Sequence, residues 1–304
     1  MHQSGASDVW TKLRRIAIEA GQLPGLRLLG QPLYRRLFQR PYQPEAHYYG
    51  IYDSYAQALA DAPPTLPTSY DVQAAGRMYR SHLDQIKVSD YPALHWLTRL
   101  LAAGNRQVFD LGGHIGLSYY GFRRYIDYPT DLHWRVHDVP AVVSAGRNWA
   151  MKHDPEGRLA FTDSRHDTNG ASILFTSGAL QYLDYTLPEL LQQLESPPTH
   201  VLINIVPMHP SRDYFTLQNI GFAICPYRIA AIPTFVAGME ALGYTIVDRW
   251  RSFERHLQVP FAATCDIDCY HGFYFCKTAH AFSAAIDEQR AGPAEAKVSP
   301  AVNA

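Results

Sequence analysis

Between Arg106 and Lys277, short β-rich runs alternate with amphipathic stretches, and this alternation restricts the fold more than any other feature of the chain. The β-rich runs predict five strands, at Gln107–Leu111, His133–His137, Leu159–Thr162, Ile173–Thr176 and His200–Val206. The stretches between them predict helices at Leu117–Ile126, Ala141–Met151 and Leu187–Leu194. Strands that alternate with helices in this way form a parallel sheet with helices on both faces.

Two more β-rich runs, Tyr244–Trp250 and Gly272–Lys277, follow after a long gap. About 20 residues without helical periodicity separate them, so we expect the two strands to pair as a hairpin at the sheet edge. The predicted fold class is α/β.

The chain divides into three parts by pattern. Residues 1–95 carry helical periodicity broken by turn residues such as Pro63-Pro64, which predicts a mostly helical N-terminal segment that covers the site. Residues 96–280 form the predicted α/β domain. Residues 281–304 are rich in Ala, Pro, Glu and Lys with few large apolar groups, so we predict a disordered tail.

Composition excludes several classes of protein. The 27 Lys and Arg residues nearly balance 28 Asp and Glu residues, so no general electrostatic field favours a nucleic-acid partner. No apolar run reaches the roughly 18 residues that a membrane span needs, and the N-terminus does not resemble a secretory signal. Four cysteines in 304 residues do not make a disulfide framework, so we expect a cytoplasmic protein.

Small and acidic residues follow four consecutive strands of the predicted sheet. Asp110 and the turn Gly112-Gly113-His114-Ile115-Gly116 follow the first strand and open a helix, where a ligand can approach the backbone closely. Asp138 ends the second strand and can accept hydrogen bonds from ribose hydroxyls. Asp163-Ser164 ends the third and can meet an adenine amine, and Ser177-Gly178 leaves space beside the fourth.

Each of these residues also has a purely structural interpretation. A single glycine-rich turn is a weak signal, and aspartates at strand ends commonly cap the following helix. Asp138, placed before Val139-Pro140, fits a helix N-cap with proline in the first turn. The combination of four strand ends is what favours a nucleotide-containing ligand.

The chain resembles the class I S-adenosylmethionine (SAM)-dependent methyltransferases. Val108–Gly116 is similar to the first motif of that family, Asp138 to its second-strand acid and Asp163-Ser164 to its adenine-contacting position. The two late strands resemble the sixth and the antiparallel seventh strand of its Rossmann-like sheet. Within that family the chain resembles bacterial methyltransferases encoded with cell-surface polysaccharide genes. The residues that carry this closer resemblance are Gly50–Tyr55, Thr176–Leu183, Thr216–Gly221, Cys225–Arg228 and Gly243-Tyr244.

The resemblance implies an enzyme that uses SAM as its cofactor and transfers a methyl group, with a sugar or glycan hydroxyl as the expected acceptor. It implies a cofactor site made by Asp110, Gly112, Gly113, His114, Gly116, Asp138, Val139, Asp163, Ser164, Ser177 and Gly178. His114 departs from the family, in which a third glycine is common. We expect its side chain to point outward, which the turn tolerates.

Methylation of a hydroxyl also requires a base for its proton. The candidates lie beyond the strand ends: His209 first, because histidine titrates near neutral pH, then Tyr182, with Arg212 as a clamp for a substrate anion. Residues 213–232, which include Tyr214, Phe215 and Tyr227, are long enough to cover the site. His209, placed between two prolines, also fits the cap of a turn.

Two weaker patterns and two rival functions complete the expectations. The spacing of Cys265 and Cys269 is not a clean zinc pair, so we predict no metal site. Basic residues among Leu and Ile between Trp10 and Arg40 suit either a solvated helix face or peripheral contact with an anionic membrane, as an enzyme acting on lipid-linked sugars would need.

Two other functions compete with methyl transfer. One is a nicotinamide-dependent oxidoreductase, which should lack the late antiparallel strand, and the other is a non-catalytic binding protein. The oligomeric state is not predicted.

Overall fold

A mixed sheet dominates the computed structural model, which describes residues 25–41, 47–77, 83 and 85–277. Its strands are β1 (His47–Tyr52), β2 (Gln107–Leu111), β3 (His133–His137), β4 (Leu159–Thr162), β5 (Ile173–Ser177), β6 (His200–His209), β7 (Tyr214–Asn219), β8 (Ile224–Ala231), β9 (Tyr244–Ser252) and β10 (Tyr270–Lys277). Its helices are α1 (Arg27–Phe38), α2 (Tyr55–Asp61), α3 (Tyr91–Ala102), α4 (Leu117–Phe122), α5 (Pro140–His153), α6 (Leu187–Gln192) and α7 (Ile232–Ala241).

The central strands lie in the order β4-β3-β2-β5-β6-β10-β9, and the first five of them are parallel. Strand β10 runs antiparallel to both of its neighbours, β6 and β9. This order, with its antiparallel insertion, is the class I methyltransferase fold, which confirms the predicted fold class. The late strands do pair with each other, and β9 rather than β10 forms the edge.

Alternation of side chains along the buried strands separates two cores. On β2, Val108 faces the core under α3, α4 and α5, and Phe109 faces the core under α6 and α7. Successive residues of a strand point to opposite faces, so a strand covered by helices on both sides is apolar throughout. Each fully buried Val, Leu or Phe contributes about 1.5–3 kcal/mol to folding.

Three strands that extend the sheet from the end of β6, called the second sheet below, were not expected. Strands β7 and β8 form an antiparallel pair, β1 pairs with β7, and β8 meets the end of β6 at Met208 and His209. The segment predicted to cover the site, residues 213–232, therefore contains a β-hairpin. Every residue of β7 is buried, so this strand lacks the polar alternation by which a half-exposed strand is recognised in a sequence.

The N-terminal part is only partly helical, because β1 inserts a strand between α1 and α2. Helix α3 begins at Tyr91 and crosses the boundary predicted at residue 95. The predicted tail, residues 281–304, lies outside the described residues. No helix in the described part of the chain is long and apolar enough to cross a bilayer.

Candidate functional site

A cavity of about 840 Å³ opens at the carboxyl ends of β2, β3 and β5. Its volume falls within the range that small-molecule and cofactor sites occupy. One wall is the glycine turn after β2, and the opposite wall comes from the N-terminal segment and the second sheet. Of the predicted site residues, those that line the cavity are Asp110, Gly112, Gly113, His114, Asp138, Val139, Ser177, Gly178 and Tyr182.

The turn after β2 has room only for glycine at two positions. Gly112 has a φ of 72°, and a Cβ placed there would lie 2.2 Å from the Cβ of Ala179. A Cβ on Gly113 would lie 2.4 Å from the carboxyl carbon of Asp110. Because no side chains fill this space, the Asp110 carboxyl group packs directly against the backbone of the turn.

Asp110 is a buried carboxylate with an unused hydrogen-bonding atom. The indole Nε1 of Trp134 donates to its Oδ2 at 3.1 Å, and its Oδ1 has no hydrogen-bond partner among the described residues. Burial raises the pKa of Asp110 to about 7. A buried acceptor without a partner is rare in native proteins, and a bound cation would both satisfy it and stabilise its charge.

Asp138 holds the turn in place from the next strand. Its Oδ2 accepts the backbone N–H of His114 at 2.9 Å, and its Oδ1 accepts the N–H of Val139 at 2.8 Å. Burial raises its pKa to about 6. Helix α5 has Val139 at its N-cap position, so Asp138 is not the helix cap that its sequence also allowed. A carboxylate has about four lone-pair sites, so Asp138, which lines the cavity, has the capacity to accept two further hydrogen bonds.

His114 does not point outward as expected. Its backbone has a φ of 58°, the residue is only 6% exposed, and its Nε2 lies 2.9 Å from the carbonyl oxygen of Ala75. Burial lowers its pKa to about 4, so the imidazole is neutral at physiological pH. The third-glycine position therefore carries a side chain that ties the turn to the N-terminal segment.

Three predicted cofactor residues do not line the cavity. Gly116 has a φ of 92° and begins α4 behind the turn, where a Cβ would lie 2.9 Å from Leu159. Asp163 is exposed beyond β4, and the N–H of Ser164 donates to the Thr162 hydroxyl at 3.1 Å. The predicted adenine contact is therefore not formed by these side chains as they stand.

The proposed catalytic residues separate into one inside the cavity and two outside it. Tyr182 lines the cavity and donates to Gln218 Oε1 at 2.6 Å. His209 lies outside, and its Nδ1 accepts the backbone N–H groups of Ser211 and Arg212 at 3.1 Å each. The Arg212 guanidinium instead reaches Cys265 Sγ at 3.5 Å. His209 therefore caps a turn, and neither it nor Arg212 is placed to contact a substrate in this cavity.

Sequence reasoning did not assign the tyrosine-lined half of the cavity. Gln218 Nε2 donates to the Tyr48 hydroxyl at 2.9 Å, and the hydroxyls of Tyr227 and Tyr270 lie 2.9 Å apart. Burial raises the pKa of Tyr48, Tyr227 and Tyr270, so all three stay protonated. They offer hydroxyl groups and aromatic faces but no base. Gln218 lies within a segment that carried the family resemblance, and that segment gave no indication of its role.

Sequence reasoning also missed Asp90, which lines the cavity from the N-terminal side. Its Oδ1 accepts from Asn204 Nδ2 at 3.0 Å, and its Oδ2 accepts the backbone N–H of Lys87 at 2.8 Å. Asn204 Nδ2 also lies 3.4 Å from the Ser177 hydroxyl, and Trp250 Nε1 donates to Asn204 Oδ1 at 3.0 Å. Burial raises the pKa of Asp90 despite the Lys87 hydrogen bond. In the sequence, an aspartate just before a helix looks like an ordinary capping residue.

Comparisons with known proteins return structures and no sequence relatives. No known protein family and no curated protein matches the chain. Magnesium protoporphyrin IX methyltransferase from Synechocystis PCC 6803, solved with bound S-adenosylhomocysteine, is 10% identical, with coverage of 69% of this chain and 96% of that one and a TM-score of 0.45. For 1,6-didemethyltoxoflavin-N1-methyltransferase from Burkholderia thailandensis, solved with bound 1,6-didemethyltoxoflavin and S-adenosylhomocysteine, the identity is 19%, the coverages are 79% and 99%, and the TM-score is 0.41. An O-methyltransferase family protein from the same organism is 14% identical, with coverages of 69% and 63% and a TM-score of 0.39. The fold assignment rests on the strand order of this chain itself.

Proposed function

We propose that this protein is an enzyme that transfers a methyl group from SAM to an acceptor bound in the tyrosine-lined half of its cavity. The observation that carries the proposal is the buried, unpartnered Oδ1 of Asp110 beneath the glycine turn, at the carboxyl end of β2 in a class I methyltransferase sheet. A ligand with a cationic amino group supplies the partner that this oxygen lacks.

The residues around the turn fit the parts of the proposed cofactor. Asp110 would hold the ammonium group of its methionine part, and the open lone pairs of Asp138 would accept the ribose hydroxyls. Gly178 has a φ of 71°, and a Cβ placed there would lie 3.9 Å from Gln181 Nε2, so this position leaves space beside the ligand. The bound cofactor supplies a methyl group on a sulfonium, and the protein contributes orientation and exclusion of water.

The proposed acceptor is a hydroxyl of a sugar or glycan intermediate, including a nucleotide- or lipid-linked sugar. The lining of tyrosine hydroxyls and the Gln218 amide supports this class, because such groups exchange hydrogen bonds with polyols and the aromatic rings pack on sugar faces. Lys87 and Arg255 also line the cavity and would suit an acceptor that carries a phosphate. We propose a role in polysaccharide biosynthesis and a cytoplasmic location. The four free cysteines support the cytoplasmic location.

Calorimetric titration of the purified protein with SAM and S-adenosylhomocysteine, with NADH in parallel, tests the proposal. We expect micromolar binding of the first two ligands, a loss of affinity in Asp138→Asn, and no change in Asp127→Asn, an exposed residue outside the cavity. Binding of NADH alone would favour an oxidoreductase, although the antiparallel β10 argues against that rival. Cofactor binding without any methyl transfer would favour a non-catalytic binding protein.

We also propose that the start of the chain contacts an anionic membrane. On α1, Leu28, Leu29 and Leu33 are 87%, 75% and 60% exposed, and the basic Arg36 and Arg40 follow them. Exposed leucines beside basic residues favour the interface of an anionic bilayer. Lys12, Arg14 and Arg15, which belong to the same prediction, lie outside the described residues. Co-sedimentation with phosphatidylglycerol vesicles, with phosphatidylcholine vesicles as the control, tests this contact.

A further inference from the structure

We propose that Asp90 is the catalytic base that takes the proton from the acceptor hydroxyl, and that Asn204 and Trp250 are positioning residues that orient its carboxylate. The inference rests on the proposed methyltransferase function and identifies the acceptor as an O–H group.

Asp90 lines the cavity and is linked through Asn204 to the end of β5. Asn204 sits opposite Ser177 in the parallel β5–β6 pairing, and Ser177 ends the strand next to β2, which carries Asp110. The Asn204 amide contacts both Asp90 and Ser177: its Nδ2 lies 3.0 Å from Asp90 Oδ1 and 3.4 Å from Ser177 Oγ. One side chain thus connects Asp90 with Ser177, at the end of the strand next to the one that carries Asp110.

The hydrogen bonds around Asp90 fix the direction in which its carboxylate points. An indole N–H can only donate, so the 3.0 Å contact of Trp250 Nε1 requires the oxygen of Asn204 on that side. The Asn204 NH₂ group therefore faces Asp90 and donates to it. The backbone of β6 is itself constrained there, because Ile205 has a φ of 54°, which is rare for a β-branched residue and here lies at the cavity wall.

Among the carboxylates and the buried tyrosine cluster of the cavity, Asp90 is the best suited to this role. The buried tyrosines are held protonated, and Asp110 and Asp138 belong to the glycine turn. Asp184 and Glu254 line the cavity but are exposed to solvent. Asp90 is half-buried, already accepts two hydrogen bonds, and retains lone pairs for a third.

The charges that face Asp90 come from two segments. Lys87 precedes it on its own turn, and Glu254 and Arg255 face it from the loop after β9. The cations favour its ionised form and Glu254 opposes it, but burial outweighs them, and the pKa of Asp90 lies above that of an exposed aspartate. A more basic carboxylate is a better proton acceptor near neutral pH.

In the proposed step, an Asp90 carboxylate oxygen takes the proton as the acceptor O–H bond breaks. The acceptor oxygen forms its bond to the methyl carbon, and the carbon–sulfur bond breaks with its electron pair passing to sulfur. The sulfonium becomes a neutral thioether, and the protonated Asp90 returns its proton to solvent after the product leaves. One proton and one methyl group move, with no change of oxidation state.

The test measures transfer of label from [methyl-³H]SAM to a panel of UDP- and GDP-linked hexoses and simple methyl glycosides. We expect Asp90→Asn to bind SAM as the unaltered protein does and to lose about 10²- to 10⁴-fold in turnover. Formate added to Asp90→Ala should restore part of the rate, and Asp127→Asn should not change it.

Trp250→Phe tests the positioning role without touching Asp90. Phenylalanine lacks the indole N–H, so Asn204 can turn away from Asp90. A carboxylate that loses a hydrogen-bond donor has a higher pKa, so the acid limb of the plot of rate against pH should move to higher pH. A purely structural role would lower the rate without moving that limb.

The possible failures are distinguishable. Absence of SAM binding in the unaltered protein overturns the proposed function. Binding without transfer to any hydroxyl compound of the panel overturns the acceptor class and with it the role of Asp90. Transfer that stays within tenfold in Asp90→Asn, without formate rescue of Asp90→Ala, overturns the base assignment and leaves the methyltransferase function standing.

Discussion

Replacing Asp110 with asparagine should stabilise the ligand-free protein more at pH 8 than at pH 5. Asparagine keeps the size of the side chain and an oxygen that can accept from Trp134 Nε1, but it cannot ionise. Burial raises the pKa of Asp110 from 3.8 to about 7 in the folded state. Between these two values the folded state binds more protons than the unfolded state, so this group's contribution to stability falls as pH rises and is lost above about pH 7.

The magnitude follows from the two pKa values. Between pH 5 and pH 8, ionisation of Asp110 should remove about 2.5 kcal/mol from the free energy of unfolding, as an order of magnitude. Asp110→Asn lacks this loss, so its stability relative to the unaltered protein should rise by about that amount over the same interval. Any constant cost of the new amide group cancels in the difference between the two pH values.

Urea unfolding followed by far-ultraviolet circular dichroism measures this difference, with Asp127→Asn as the exposed control. The affinity of folded Asp110→Asn for SAM should also fall about 10- to 100-fold, because a charge-assisted hydrogen bond to the ammonium group is lost. An equal effect of the substitution at both pH values would refute the argument that the Asp110 charge is desolvated. Unchanged SAM affinity would refute its role in holding the cofactor.

Three further predictions concern the turn and the N-terminal segment. Gly112→Ala should destabilise the protein by about 1–3 kcal/mol and weaken SAM binding. The reason is that residue 112 has a φ of 72° and that the new Cβ would lie 2.2 Å from the Cβ of Ala179. An unchanged melting temperature would contradict this prediction. His114→Gly should relieve the positive φ but release Ala75, so amide exchange near Ala75 should become faster while the turn stays folded. Equal exchange in both proteins would show that the 2.9 Å contact does not hold the segment. Leu29→Ser should reduce sedimentation with anionic vesicles several-fold. The control Ala58→Ser should not reduce it, because Ala58 is buried in the core of the second sheet. Equal sedimentation of Leu29→Ser and the unaltered protein would contradict the membrane contact.

The parallel part of the fold was predictable from sequence because its signals are local. Four of the five predicted parallel strands match the observed bounds to within one residue, and β6 continues to His209. Such strands are buried on both faces and end at glycine or acidic residues, so they stand out from the amphipathic helices between them. The second sheet gave no such signal, since β1 finds its partner β7 more than 150 residues away.

The candidate site likewise contains some residues that the sequence predicted and others that it did not. The sequence predicted that Asp110, Gly112, Gly113 and Asp138 share one cavity, and they do line it, because each lies at or just after the end of its own strand. His209 was misplaced because its chemistry suits a base, while its actual partners are two backbone N–H groups of the next turn. Nothing in the sequence indicates whether a histidine faces a cavity or its neighbouring backbone.

The sequence by itself determined where the parallel strands and the glycine turn lie along the chain, because hydrophobic periodicity and backbone sterics act over a few residues. Only the tertiary structure decided which side chains share the cavity. Asn204 meets Asp90 across 114 positions of the chain and Trp250 across 46. Those contacts depend on how the N-terminal segment, β6 and β9 pack together, and burial then sets the protonation of the groups that packing has brought together.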